Sequence, residues 1–178
     1  MEFAGKKALV CGMARSGQSA ARLLRKLGAD VTAQDLKEPE KIDWTFLPEE
    51  ENIQLYLGKN PDDIVALFDF IVISPGIPCN LPFVEKARKY NIPVISELEL
   101  AYDVCPCPII AITGTNGKTT VTTLVGEIMR KVRPTAVAGN IGYPFTEQVF
   151  PLEKAVEAID AHLSGKYPKI VIRCNDID

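Results

Sequence analysis

The chain has 178 residues, 47% hydrophobic and 24% charged, with a formal net charge of −3. That is the make-up of a globular protein and not of a disordered chain. The slight negative charge, with no basic stripe, argues against a nucleic-acid surface, and no apolar run approaches the roughly 20 residues of a membrane-crossing helix. The N-terminus shows no charged-then-apolar leader, so the expectation is a cytoplasmic protein with neither nucleic acid nor membrane as partner. The five cysteines (Cys11, Cys79, Cys105, Cys107 and Cys174) are odd in number and scattered, and they read as reduced, structural thiols. His162 is the single histidine, so a four-ligand zinc site is not expected.

Lys7 to Gly12 reads as a first buried strand, followed by the turn Gly12-Met13-Ala14-Arg15-Ser16-Gly17. A helix with Ala20, Ala21, Leu23, Leu24 and Leu27 apolar comes next, and Gly28 is a natural stop. Val31 to Gln34 is a second strand, ending at Asp35. This is a βαβ opening with Gly-x-Ala-x-x-Gly in place of Gly-x-Gly-x-x-Gly. Such a turn sets a helix N-terminus over a diphosphate, and an acid after the second strand can hold a ribose hydroxyl. On the residues alone the pattern fits NAD, FAD, UDP or a turn with no ligand.

Glu38 to Glu51, with Trp44, reads as a polar surface connection. Ile53 to Leu57 suits a strand, Pro61 to Leu67 a short helix, and Phe70 to Ile73 a strand rich in β-branched residues. That strand runs into Ser74-Pro75-Gly76-Ile77-Pro78, which taken alone is a proline-glycine turn. Leu81 to Tyr90 reads as a helix with Phe83, Val84, Ala87 and Tyr90 inward, and Pro93 to Ser96 as the next strand. Ser96 and Glu99 have the spacing of a capping box. Cys105-Pro106-Cys107-Pro108 is the best domain boundary. Strand alternating with helix up to there predicts an open, mostly parallel α/β sheet.

An apolar run from Pro108 to Ile112 then delivers Thr113-Gly114-Thr115-Asn116-Gly117-Lys118-Thr119-Thr120 to a helix with Val121, Leu124, Val125, Ile128 and Met129 apolar. Strand, glycine turn, Lys-Thr and helix is the context of a phosphate loop. Backbone N–H groups around Gly114 and Gly117 can approach phosphate oxygens, and the helix N-terminus adds positive charge. Lys118 can reach the β- and γ-phosphates of ATP, and Thr119 can offer a hydroxyl to Mg²⁺. Ile112 stands where the usual pattern has its first glycine, so only Gly-x-x-Gly-Lys-Thr-Thr survives. Pro134 to Ala138 reads as a strand, followed by Gly139-Asn140-Ile141-Gly142. Phe150 to Asp178 reads as an amphipathic helix, with Leu152, Ala155, Val156, Ile159 and Leu163 apolar, and a strand from Lys169 to Arg173.

Ile-Thr-Gly-Thr-Asn-Gly-Lys-Thr-Thr closely resembles the ATP loop of the Mur ligases, which build the peptide stem of bacterial cell-wall precursors. Ser-Pro-Gly-Ile, Ser-Glu-Leu-Glu and Gly-Asn-Ile-Gly resemble the branch that adds D-glutamate to UDP-N-acetylmuramoyl-L-alanine. The resemblance implies an ATP-dependent amide-forming ligase of peptidoglycan synthesis. ATP and Mg²⁺ would be its cofactors, with the UDP-sugar and D-glutamate as small-molecule substrates. It further implies that Gly114, Thr115, Asn116, Gly117, Lys118, Thr119 and Thr120 bind ATP, with Lys118 and Thr119 catalytic and Thr119 on the magnesium. Ala14, Arg15 and Ser16 would contact the diphosphate. Asp35, Leu36 and Lys37 would lie beside the uridine, the Ser74-Pro75-Gly76 loop would border the uracil, and Asn140 would touch the substrate. Ala14 departs from the glycine often found there.

The resemblance is read to cover residues 1–149. Beyond it, residues 150–178 resemble the tail of medium-chain zinc-type alcohol dehydrogenases. The expected architecture is therefore a Rossmann-like parallel-sheet UDP-substrate domain over 1–105, a truncated P-loop ATP-binding α/β domain beginning over 106–149, and a divergent or fused helix-strand element over 150–178. That last element is expected to cover an open sheet edge. The magnesium-binding glutamate and histidine and the carbamylated lysine of the ligases are not found, so the chain alone is expected to be inactive. A nicotinamide-dependent oxidoreductase fragment, and a non-catalytic engineered or fused nucleotide-binding scaffold, remain as alternatives.

Overall fold

Two apolar runs build the centre of the first sheet. Lys7–Cys11 (β1) is buried from Ala8 onward, and Phe70–Ile73 (β4) is buried throughout. Strands covered on both faces lose the polar alternation of half-exposed ones. Asp30–Asp35 (β2), Gln54–Leu57 (β3) and Val94–Ser96 (β5) complete a parallel sheet in the order β3-β2-β1-β4-β5. The chain walks outward from β1 to β3, then returns to the other side of β1, so the direction of winding reverses between β1 and β4. Ligands of open α/β sheets settle outside the strand ends at such a reversal. The computed structural model describes residues 2–47, 53–105, 107–132, 135–139, 143–148 and 169–173. It divides into two compact units, Met1–Asp103 and Val104–Asp178.

In the first unit, Arg15–Lys26 (α1) buries Ala20, Ala21, Leu23 and Leu24. Pro82–Lys89 (α2) buries Phe83, Val84 and Ala87 against Leu9, Ile71 and Ile73. Tyr90, expected on that inner face, is exposed. The predicted helix over 61–67 is only a 3₁₀ turn at Val65–Leu67. The capping box forms at the start of Glu97–Val104 (α3): Ser96 N–H donates to the Glu99 carboxylate at 2.6 Å, and Glu99 N–H donates to Ser96 Oγ at 3.1 Å. The connection after β2 is more than surface chain, because Ile42 and Leu47 are buried.

The second unit carries Ile109–Ile112 (β6), Lys118–Arg130 (α4), Thr135–Gly139 (β7), Phe145–Gln148 (α5) and Lys169–Arg173 (β8). Its sheet has the order β6-β8-β7, with β8 parallel to both neighbours. The C-terminal strand therefore does not cover an edge. It is the middle strand, pairing Ile109 with Ile170 on one side and Thr135 with Lys169 on the other. The helix expected between residues 152 and 163 lies outside the described residues.

The buried face of α4 also differs from the sequence reading. Thr122 and Gly126 are buried, whereas Val121, Leu124 and Ile128 are exposed. A Cβ on Gly126 would stand 2.5 Å from the Val137 side chain. The sheet approaches α4 along its small residues, and apolar periodicity does not register that. Among the described residues, no helix is long and apolar enough to cross a membrane.

Candidate functional site

In the first unit the strand ends converge on the turn after β1. Gly12 N–H donates to the Gln34 carbonyl at 2.7 Å, at the end of β2. The Asp35 carboxylate accepts Met13 N–H at 2.6 Å through one oxygen and Lys37 N–H at 2.9 Å through the other. Ser74 Oγ donates to the Gly12 carbonyl at 3.0 Å. The turn is thus tied to β2 and β4 together. Gly17 sits so close beneath it that a Cβ there would lie 1.7 Å from the Gly12 carbonyl oxygen. This is the close helix–strand packing for which the last glycine of such turns is required.

Gln18, in the first turns of α1, is almost fully buried. Its amide nitrogen donates to the carbonyls of Met13 at 2.8 Å and Asp43 at 2.6 Å, and its oxygen accepts Phe46 N–H at 3.1 Å. One side chain thereby ties the turn to the segment around Asp43–Phe46. Phe46 in turn lies under the Arg15 guanidinium, 4.6 Å from the ring centroid, in cation–π contact. No side chain caps α1, whose N-cap is Ala14, and its first turn carries no acid. Both features favour an anion there.

Beside this turn is a half-open cavity of about 210 Å³, lined by Gly12, Gln34, Asp35, Leu36, Asn60, Gly76, Ile77, Pro78, Leu81 and Phe83. Of the residues expected around the uridine, Asp35, Leu36 and Gly76 share this cavity. Leu36 is 63% exposed at its mouth. Lys37 and Pro75 are exposed and Ser74 is buried, and none of the three is among the lining residues. Ala14, Arg15 and Ser16 stand at the α1 N-terminus, Ala14 exposed and the other two half-buried. The sequence reading missed Gln18, Gln34 and Asn60, which carry no motif. It also stopped short of Ile77 and Pro78, which directly continue Ser74-Pro75-Gly76.

The second unit presents the loop from β6 to α4. Gly117 is the N-cap of α4 in the left-handed region, with φ 74°, and no side chain caps the helix. Lys118 is 5% exposed and folds back over the loop, its Nζ donating to the carbonyls of Gly114 and, at 3.3 Å, Thr115. Gly114, Thr115, Asn116, Thr119 and Thr120 are exposed around it. The first helical turn has no acid. A lysine lying across an uncapped helix N-terminus is what a polyphosphate needs. Ile112, in the place of the first glycine, is the last residue of β6. Asn140 lies outside the described residues.

The described thiols are all free. Burial pushes Cys11 well above the ordinary thiol range, with the Asp35 charge adding to it. Burial first, then neighbouring Cys105, pushes Cys107 up to about 11. These thiols stay protonated and unreactive at neutral pH.

Comparison with known proteins agrees with this geometry. Residues 6–96 match the Mur ligase MurD-like N-terminal domain, and residues 112–164 match the Mur ligase middle domain. The second match runs past residue 149, where the sequence reading ended the resemblance, into the stretch likened to a dehydrogenase tail. The chain is 47% identical over 156 residues to a UDP-N-acetylmuramoylalanine–D-glutamate ligase of Caldicellulosiruptor saccharolyticus, covering 84% of this chain and 34% of that protein. It is 47% identical over 148 residues to the enzyme of the same name from Streptococcus pneumoniae, covering 82% of this chain and 33% of that one. The chain spans about a third of the length of these curated relatives. Among solved structures, a murein peptide ligase from Psychrobacter arcticus has a TM-score of 0.57 at 20% identity, covering 98% of this chain and 38% of that one. That likeness shows the shared α/β fold. With the N-terminal-domain match alone covering just over half of its 178 residues, the chain belongs to the Mur ligase family.

Proposed function

We propose that the chain is the uridine-nucleotide-binding region and phosphate loop of an ATP-dependent ligase that joins D-glutamate to UDP-N-acetylmuramoyl-L-alanine. The observation that carries this reading is the cleft at the β1/β4 reversal, placed beside an uncapped, acid-free helix N-terminus. The relatives' names support the choice of substrates. In this reading Ala14, Arg15 and Ser16 hold the diphosphate, and Phe46 holds the Arg15 guanidinium from behind. Asp35, Leu36, Lys37 and the Ser74–Gly76 loop flank the nucleoside.

The loop of the second unit fits a nucleoside triphosphate. Its lysine is aligned over the helix N-terminus, held by two backbone carbonyls that phosphate oxygens can replace as partners. Gly114 to Thr120 would cradle the phosphates, and Thr119 would meet the magnesium. Bound ATP supplies the phosphoryl group that activates the substrate carboxylate toward the amine of D-glutamate. Lys118 offsets the charge that develops on that group. Asn140 is proposed as a further substrate contact.

The test is a calorimetric titration of the full chain with UDP-N-acetylmuramoyl-L-alanine, with NADH as control. Saturable heat from the UDP-sugar and none from NADH is expected. Heat from NADH alone, or from neither, would overturn the proposal.

A further inference from the structure

We propose that Asn60 reads the edge of the pyrimidine base in the first unit's cleft, and that Gln34 is the residue that positions it. The inference rests on the reading of this cleft as a uridine-nucleotide site and adds to it two residues that no motif assigned.

The cleft is walled largely by apolar groups, among them Leu36, Ile77, Leu81 and Phe83. A pyrimidine ring entering such a slot loses water from its polar edge and needs a replacement partner. Three polar side chains line the slot. Asp35 is acceptor-only, and each of its oxygens already takes a backbone N–H. Gln34 is buried, and its amide donates to the Lys59 carbonyl at 2.8 Å. Asn60 is exposed at the slot, and among the described residues its amide makes no hydrogen bond. Of the two amides at the slot, Asn60 is the exposed one with both its donor and its acceptor uncommitted, whereas buried Gln34 has one N–H tied to Lys59.

Its place in the sheet fits the task. The α1 N-terminus follows β1, and Asn60 follows β3, two strands away in the order β3-β2-β1. At ordinary strand spacing that is about 10 Å sideways, within reach of a nucleoside base whose 5′-diphosphate sits at α1. The bond from Gln34 holds the backbone of Lys59 and so fixes where the next residue, Asn60, enters. The Asn60 carbonyl oxygen can accept the uracil N3–H while its NH₂ donates to O4.

The experiment titrates the full chain and its variants with UDP and with N3-methyl-UDP. For the unsubstituted chain, N3-methylation is expected to weaken binding about tenfold. Asn60→Ala should bind UDP about tenfold more weakly and lose the discrimination, with both ligands within about twofold. Gln34→Met should show the same loss of discrimination in smaller measure, about threefold. Asn60 is an exposed loop residue, so its variant should keep the parent melting temperature and decide the matter if Gln34→Met does not fold. If Asn60→Ala binds UDP as tightly as the parent, or still rejects the N3-methyl ligand, the inference falls and the uridine-nucleotide reading stands. If the parent chain does not bind UDP, both fall.

Discussion

The two glycine turns of this chain, both proposed to hold phosphate groups, are held in different ways. The turn after β1 is fixed by residues far away in sequence: Asp35, Gln34 and Ser74 bond its backbone, and Gln18 links it to Asp43 and Phe46. In the loop after β6, Lys118 bonds the carbonyls of Gly114 and Thr115, four and three residues back. A turn wired across its unit inherits that unit's stability, whereas bonds between near neighbours in sequence tie a loop only to itself. The sheet behind the second loop also rests on one strand, β8, as the shared partner of β6 and β7.

The largest test of that contrast removes residues 150–178. The second unit then loses the ladders that β8 makes with β6 and β7, and amide exchange over 109–139 should become unprotected while residues 7–96 keep their protection. Unchanged protection in the second unit would show that β8 is not its central support. Gly17→Ala is the matching blow to the first unit. With a Cβ directed 1.7 Å from the Gly12 oxygen, helix and turn must separate, at a cost of about 3 kcal/mol or more in urea denaturation. A loss below 1 kcal/mol would mean that the turn is not held as tightly as its bonds indicate.

Gln18→Ala should cost about 2 kcal/mol, since three backbone groups lose their partner together. Gly117→Ala sharpens the comparison from the other side. Nothing lies within 4 Å of a Cβ there, so only the left-handed backbone resists, at about 1 kcal/mol. The smallest effect is alkaline. Cys11 binds its proton more tightly folded than unfolded, so its contribution is intact below the ordinary thiol value of 9.0 and is lost as pH rises above it. The first unit should lose about 1 kcal/mol of stability by pH 10. Cys11→Ala should remove that part of the slope.

What could be read from the residues follows the same division. Local signals worked: β1, β8, the Ser96–Glu99 capping box and the Lys118 loop all rest on neighbours in sequence. Misreadings came where tertiary approach decides. The sheet packs on Thr122 and Gly126 of α4 and leaves Leu124 outside, because Val137 closes on the glycine. Periodicity marks a helix, but it does not say which side a particular neighbour can reach. Gln18 and Asn60 gave no signal, because an amide in a polar stretch looks the same whether solvated or bonded to a segment 25 residues away. The position of β8 was illegible for a related reason: a sequence names strands without ordering them.

That order has a consequence for how the chain is made. Synthesis delivers every strand of the first sheet by residue 96, whereas β6 and β7 emerge before the strand that must lie between them. Until residues 169–173 leave the ribosome, β6 and β7 lack the strand that pairs with each of them among the described residues. Exposed edges of this kind invite pairing with other chains. Between the emergence of residue 139 and that of residue 173, a nascent copy is expected to be open to aggregation or to capture by a chaperone.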